Sequence, residues 1–168
     1  MEHLESVLNA IEIARKEEDL VEIKQELILS GYIHKKGTGK REKITSKPFH
    51  YISSDGFHMY VGKNNFQNDE LTFKFAEGGD WWFHAKKIPG SHVVLKCGGK
   101  EVPDATFEEA ASLAAHFCKA GKQDKVEVDY IERKHVKKPA GAKPGFVVYY
   151  TNYSMVAETD ISRLKEVD

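Results

Sequence analysis

Cysteine is scarce in this 168-residue chain: only Cys97 and Cys118 occur. They form no C-x-x-C pair, and they fall at the end of one expected strand and inside one expected helix. A disulfide framework or a thiolate metal knuckle needs denser, regularly spaced cysteines, so two buried reduced thiols are expected. Long apolar runs are absent too, and nothing approaches the roughly 20 residues of a membrane helix. The start, MEHLESVLNA, carries Glu2 and Glu5 in place of a basic segment followed by an apolar one, which argues against a secretory signal. The cytoplasm is the expected compartment, with no membrane partner. Net charge is missing as well: 25 Lys and Arg stand against 26 Asp and Glu, so no overall basicity announces a nucleic acid. The glycine-rich stretches match neither a Walker A loop nor a G-x-G-x-x-G fingerprint, which leaves nucleotide hydrolysis unsupported.

What is there belongs to a water-soluble globule. With 40% hydrophobic residues, the chain can build one domain with a real core and carry something smaller beside it. Charge is unevenly distributed. The first 30 residues are rich in Glu, whereas Lys35, Lys36, Lys40, Arg41, Lys43 and Lys47 surround the single acid Glu42. A second basic run, from Arg133 to Lys143, contains Lys134, His135, Lys137 and Lys138 and no acid.

Leu4, Val7, Leu8, Ile11 and Ala14 form a helical stripe. After a turn at residues 16–18, Asp19 and Glu22 have the form of a capping box for a second helix, which Gly31 would end. So short a pair buries little by itself, which predicts a hairpin over residues 1–33 that packs on the main domain or ends a longer coiled coil. Residues 34–48 read as a flexible basic linker. Beyond it the period changes to two. Strands are predicted at Phe49–Ile52 and Phe57–Val61 around a Ser-Ser-Asp-Gly turn, at the alternating Leu71, Phe73 and Phe75, at Trp81–Ala85 and at Ser91–Leu95. Thr106 and Glu109 suggest a second capping box for an alanine-rich helix ending at Gly121. Further strands are predicted around Val126–Tyr130, Phe146–Tyr150 and Met155–Ala157. The expected fold is α+β: a mostly antiparallel sheet with one main packed helix over residues 49–160, preceded by the helical hairpin.

The stretch DWWFHAKKIPGSHVVLK, residues 80–96, carries the chemistry. Adjacent Trp81 and Trp82 point to opposite faces of a strand, so both are buried only if both faces are covered. Core packing is the plain reading of Trp81, Trp82 and Phe83. It leaves unexplained the belt of His84, Lys86, Lys87, Ser91 and His92, which beside an indole would suit a base or a ribose-phosphate. Asp80, His84, Ser91 and His92 supply the letters of a hydrolase triad, but no nucleophile elbow accompanies them. A zinc or iron site on His84, His92 and Cys97 lacks a recognisable ligand spacing. The second basic run is either a solvated loop or a phosphate contact, in which Pro139, Gly141, Pro144 and Gly145 stiffen the chain and Lys137, Lys138 and Lys143 are presented together. Asn64, Asn65, Gln67 and Asn68 are turn chemistry or donors to sugar and base edges.

Together, SSDGFHMYVGKNNFQND, DWWFHAKKIPGSHVVLK, the helix after TFEEAA, and VKKPAGAKPGFVVYYT resemble the NFACT RNA-binding domain over about residues 49–158. That domain occurs in ribosome quality-control factors called RqcH in bacteria and NEMF in animals, some bacterial members being described as fibronectin-binding. The first two helices resemble the returning end of the coiled coil that precedes this domain, so the chain reads as a C-terminal fragment. The resemblance implies a non-catalytic module without metal or cofactor. The whole protein would bind large ribosomal subunits that carry a stalled peptidyl-tRNA, and recruit tRNA for a C-terminal tail on the nascent chain. tRNA and large-subunit RNA are then the expected partners, with no DNA. The implied contact set is Asn64, Asn65, Trp81, Trp82, His84, Lys86, Ser91, His92, Arg133, Lys137, Lys138 and Lys143. Lys87 stands where many members carry an acid, a departure that favours phosphate affinity. A fibronectin-binding or adhesin-like protein contact is the alternative.

Overall fold

The computed structural model describes residues 2–31 and 46–167. The basic linker expected at 34–48 lies largely outside the described residues, and with it Lys35, Lys36, Lys40, Arg41 and Lys43. Two helices, α1 (Glu2–Ile13) and α2 (Glu17–Leu29), form the hairpin. Then come β1 (Phe49–Ile52), β2 (His58–Val61), α3 (Asn65–Glu70, running on as a π-helical turn over Leu71–Phe75), β3 (Trp81–Ala85) and β4 (Val93–Lys96). After α4 (Asp104–His116) follow β5 (Lys125–Glu132), β6 (Tyr153–Glu158) and β7 (Lys165–Val167). The strands form one antiparallel sheet in the order β6-β5-β3-β4-β2-β1-β7. The architecture is the expected α+β, with the hairpin preceding the sheet.

Strand alternation decides which core each residue joins. Phe83, Ala85, Val93, Leu95, Met59 and Val61 meet α4 on one face, where Ala110, Ala111, Ala114 and Ala115 let helix and sheet approach closely. The opposite face is covered as well. There Trp82, Val94 and Ile131 pack with Leu71 and Val136, flanked by Tyr60, Phe73, Val147 and Tyr149. Both faces are therefore roofed, which is the condition that two adjacent tryptophans impose. Trp82 is completely buried, and a side chain of that size contributes on the order of 2–3 kcal/mol through burial. Trp81 is half-buried and faces the α4 side, edge-on to Phe107. Both cysteines are free and buried.

Several local expectations are corrected. Residues 71–75 are helical, although their alternation reads as a strand. The Asn64 side chain caps α3 by accepting from the Gln67 N–H at 3.0 Å, and the helix so started continues until the Ala76 N–H bonds the Leu71 carbonyl. At α2 the cap lies three residues earlier than predicted. Asp19 sits inside the first turn and accepts from the Arg15 and Lys16 N–H groups at 3.0 and 3.2 Å. Helix α4 starts at Asp104 after Pro103, because tertiary partners claim the expected capping pair: Thr106 donates to Asp55, and Glu109 accepts the Ser54 N–H. That helix ends at His116, short of Gly121. The expected strand at 146–150 shrinks to a single bridge between Lys137 and Val148, and β7, which pairs with β1, was not foreseen.

The hairpin docks on α3 through polar groups. Along one side of α2, buried Asp19, Glu22 and Glu26 meet Lys63 (3.1 Å), Asn64 and Gln67 (2.9 and 2.7 Å), and Asn65 (2.8 Å). Burial raises the Glu22 carboxyl pKa against these hydrogen bonds. No helix among the described residues is long and apolar enough to cross a membrane.

Candidate nucleic-acid interface

Strand β3 and the start of β4 set the floor of a cleft. The Trp82 indole donates to Thr72 Oγ1 at 3.1 Å. The Gly145 carbonyl, 3.0 Å from His92 Nε2, can only accept, so the neutral ring carries its proton on Nε2, and Nδ1 accepts from the Thr72 hydroxyl at 2.8 Å. One relay thus joins the sheet, the π-helical turn and the basic loop. Burial, with the neighbouring His84 adding to it, pushes His92 down to a pKa of about 3, so the ring is neutral. His84 lies over Trp82, ring planes 7° apart, and is also shifted down by burial.

The loop over residues 137–148 is held as firmly. Asp69 Oδ1 accepts from the Gly145 N–H at 2.8 Å and from Lys138 Nζ at 3.1 Å, while Lys138 also donates to the Lys143 and Phe146 carbonyls. Gly145 sits at φ +81°, and a Cβ there would lie 2.2 Å from Asn65 Oδ1, so only glycine lets the loop close on α3. Across from it, the β3–β4 loop is tied to the end of α4 through the Lys119 N–H and Pro89 carbonyl (2.8 Å) and the Ser91 N–H and Phe117 carbonyl (3.2 Å). At its tip Lys87 adopts φ +54°.

Between the two loops lies a cleft of about 1190 Å³, lined among others by His84, Lys86, Lys87, Lys143, Phe146 and Tyr149, with Trp82 and His92 beneath. Phe146 is exposed and Lys87 and Lys143 lie at the surface. Lys86 is half-buried, with Glu127 at 3.5 Å and Asp129 at 3.9 Å.

The expected contact residues divide. The fold brings Asn65, Trp82, His84, Lys86, His92 and Lys143 to this cleft. Asn64, Asn65, Trp82, Ser91 and His92, however, are buried, which takes their side chains off the surface and makes them supports of the walls. Asn64 and Asn65 are occupied by Glu22 and Glu26 of the hairpin. Arg133 bonds the Thr72 carbonyl and lies over the Phe73 ring, Lys138 is the latch just described, and Lys137 is exposed beyond the cleft lining. Trp81 faces the other side of the sheet. Asp80 joins neither histidine. Its carboxylate is held by Lys96 at 2.7 Å and by the Glu77, Cys97 and Gly98 N–H groups, which outweigh the upward pull of burial and lower its pKa. Among the described residues no group of three or more His, Cys, Asp or Glu could hold a metal ion.

The family profile of the NFACT protein RNA binding domain matches residues 47–151. The chain belongs to that family. The NFACT RNA-binding match takes in α3, the sheet from β1 to β5, α4 and both cleft loops, so the walls and floor described above are those of the family domain. Among curated relatives, the Rqc2 homolog RqcH of Streptococcus pneumoniae serotype 2 is 47% identical over 152 residues, 89% of this chain and 26% of that protein. RqcH of Bacillus subtilis is 42% identical over 145 residues, 84% of this chain and 25% of that protein. A solved structure of the C-terminal part of the fibronectin/fibrinogen-binding protein of Streptococcus suis is 44% identical, with a TM-score of 0.89, and covers 97% of this chain and 66% of that one. The chain spans about a quarter of the length of the RqcH relatives. Its likeness to RqcH is to the part of those proteins that holds the RNA-binding domain.

Sequence reasoning missed four contributors to this NFACT domain site: Thr72, Asp69, Phe146 and Tyr149. Thr72 was hidden by the strand assigned to residues 71–75, and Asp69, just before that strand, has its partners Lys138 and Gly145 far along the chain. Tyr149 donates to Asp129 at 2.7 Å and stands edge-on to Trp82, a pairing of residues 67 positions apart that no local pattern encodes.

Proposed function

We propose that this domain grips RNA in the cleft between its two anchored loops. Within a whole RqcH-type factor it would help hold a large ribosomal subunit carrying a stalled peptidyl-tRNA, and recruit tRNA for C-terminal tailing of the nascent chain. The observation that carries this reading is the gathering of Lys86, Lys87 and Lys143, with half-buried His84 and exposed Phe146, around one cleft whose walls are fixed by partly buried hydrogen bonds. Loops already anchored lose little backbone freedom when their lysines meet phosphate, and a neutral imidazole and a phenyl ring offer stacking faces for unpaired bases. Trp82, His92, Ser91, Asn64, Asn65, Arg133 and Lys138 act as scaffold, and Lys137 extends the basic rim. The work is non-catalytic and takes place in the cytoplasm, on the ribosome.

Filter binding with tRNA at two salt concentrations tests the reading. Lys87→Glu with Lys143→Glu should weaken binding about tenfold or more and reduce the salt slope by about 1–2, because each lost phosphate contact removes roughly 0.7–0.9 from it. An unchanged slope would refute it. The name of the Streptococcus suis relative supports a second reading, in which the same cleft docks fibronectin. Immobilised fibronectin that binds with little salt dependence, beside no binding of tRNA, would favour that reading.

A further inference from the structure

The half-exposed tryptophan belongs to a different site. On the α4 side of the sheet, near its β6 edge, a pocket of about 880 Å³ opens between the first turns of α4 and strands β5 and β6. Its wall is aromatic: Trp81 stands edge-on to Phe107 at 4.9 Å, Tyr130 stacks on Tyr153 at 5.5 Å, and Trp81 lies 5.9 Å from Tyr130. Tyr153 is 59% exposed and Val156, also on β6, is 67% exposed. Among the described residues, β6 is the last strand on its side of the sheet. Its sequence, YSMVAE, has no proline or lysine to blunt that edge, although native sheets commonly protect such edges.

The charges select the occupant. Asp104, Glu108 and Glu158 line the pocket, against Lys125 and Arg163. Lys125 faces Glu158 across the β5–β6 register, and Arg163 acts on the nearby Asp160, so Asp104 and Glu108 leave the aromatic wall beside uncompensated negative charge. Phosphate is disfavoured there. A guanidinium or ammonium group is favoured both by the carboxylates and by the faces of Trp81 and Tyr153.

We propose that this pocket and the free edge of β6 form a docking site for an extended polypeptide that bears arginine or lysine. The peptide adds as a strand to β6 through main-chain hydrogen bonds, and every second side chain reaches the aromatic wall, where a cation sits between the rings and Asp104 or Glu108. This site lies on the sheet face opposite the RNA cleft, so a domain holding RNA keeps it available for a basic protein segment.

The probe is the blocked octapeptide TVRVRVRT, titrated into the isotope-labelled chain while amide and indole shifts are followed, beside a version with glutamate for arginine and beside poly(U) RNA. The arginine peptide should shift the β6 amides and the Trp81 indole, and the glutamate peptide should not. Asp104→Asn with Glu108→Gln should weaken the arginine peptide about fivefold or more, while tRNA binding at the cleft stays unchanged in this variant. No shift at millimolar arginine peptide, equal binding of both peptides, or poly(U) shifting the same resonances would overturn the proposal. A loss of tRNA binding in wild-type protein would bear on the cleft alone.

Discussion

His92 gives the sharpest test of the buried relay. In the unfolded chain an imidazole titrates near 6.5, whereas in the fold this one titrates near 3, held neutral by burial. Between those values the unfolded state binds a proton that the folded state refuses, so stability must fall as the pH drops through 6.5. Linkage for one such group gives a loss of about 2 kcal/mol between pH 7 and pH 5. In urea unfolding this corresponds to a midpoint lowered by about 1 M, with the buried Trp82 as a natural fluorescent reporter. His84 and His50 are shifted in the same sense, and Glu22, whose folded pKa is raised, acts in the opposite one. These contributions are shared with His92→Gln, an amide that can still accept from Thr72 and donate to Gly145, so they cancel in the comparison. The variant should cost on the order of 1 kcal/mol at pH 7 and lose about 2 kcal/mol less than the wild type on acidification to pH 5. Should both proteins lose the same stability over that interval, His92 is not the buried neutral link and the relay is wrong.

Gly145→Ala should destabilise by about 2–4 kcal/mol, combining left-handed backbone strain with the contact on Asn65 and the loss of the Asp69 and His92 hydrogen bonds, and should lower the thermal midpoint by roughly 5–15 °C. Trp82→Phe removes the indole N–H and leaves part of the buried ring's space unfilled, so the lost donor to Thr72 and the cavity together should cost about 2–4 kcal/mol while tRNA affinity, measured on folded protein, stays within about twofold. Asn65→Ala strips a donor from buried Glu26. Hydrogen exchange should then speed up in α1 and α2 and leave β3 and β4 unchanged, whereas uniform acceleration would show that hairpin and sheet unfold as one unit.

Much of the fold was legible because periodicity and turn chemistry are local. The two-residue alternation of β1, β2, β3 and β5 and the alanine-rich helix were readable, as were the two buried thiols. The helix starts were misread. Asp19, Thr106 and Glu109 have the side chains of capping residues, yet distant groups set what they do: Thr106 and Glu109 bond the β1–β2 turn, and Asp19 also bonds Lys63, far along the chain. Residues 71–75 were misread because Leu-Thr-Phe-Lys-Phe satisfies a strand's alternation while the Asn64 cap, seven residues before Leu71, commits the chain to a helix.

The candidate site divided along the same line. Local sequence alone determined that Trp81 and Trp82 face opposite ways, since alternation along a strand is a property of the backbone, and it showed lysines gathered in two basic runs. Only the tertiary structure decided which indole is sealed, that Asn64 and Asn65 serve the hairpin, and that Lys138 is a latch while Lys87 and Lys143 reach a shared cleft. Those outcomes depend on which element roofs each face of the sheet, and that is set by contacts between residues tens of positions apart, where no short-range pattern in the chain carries the information.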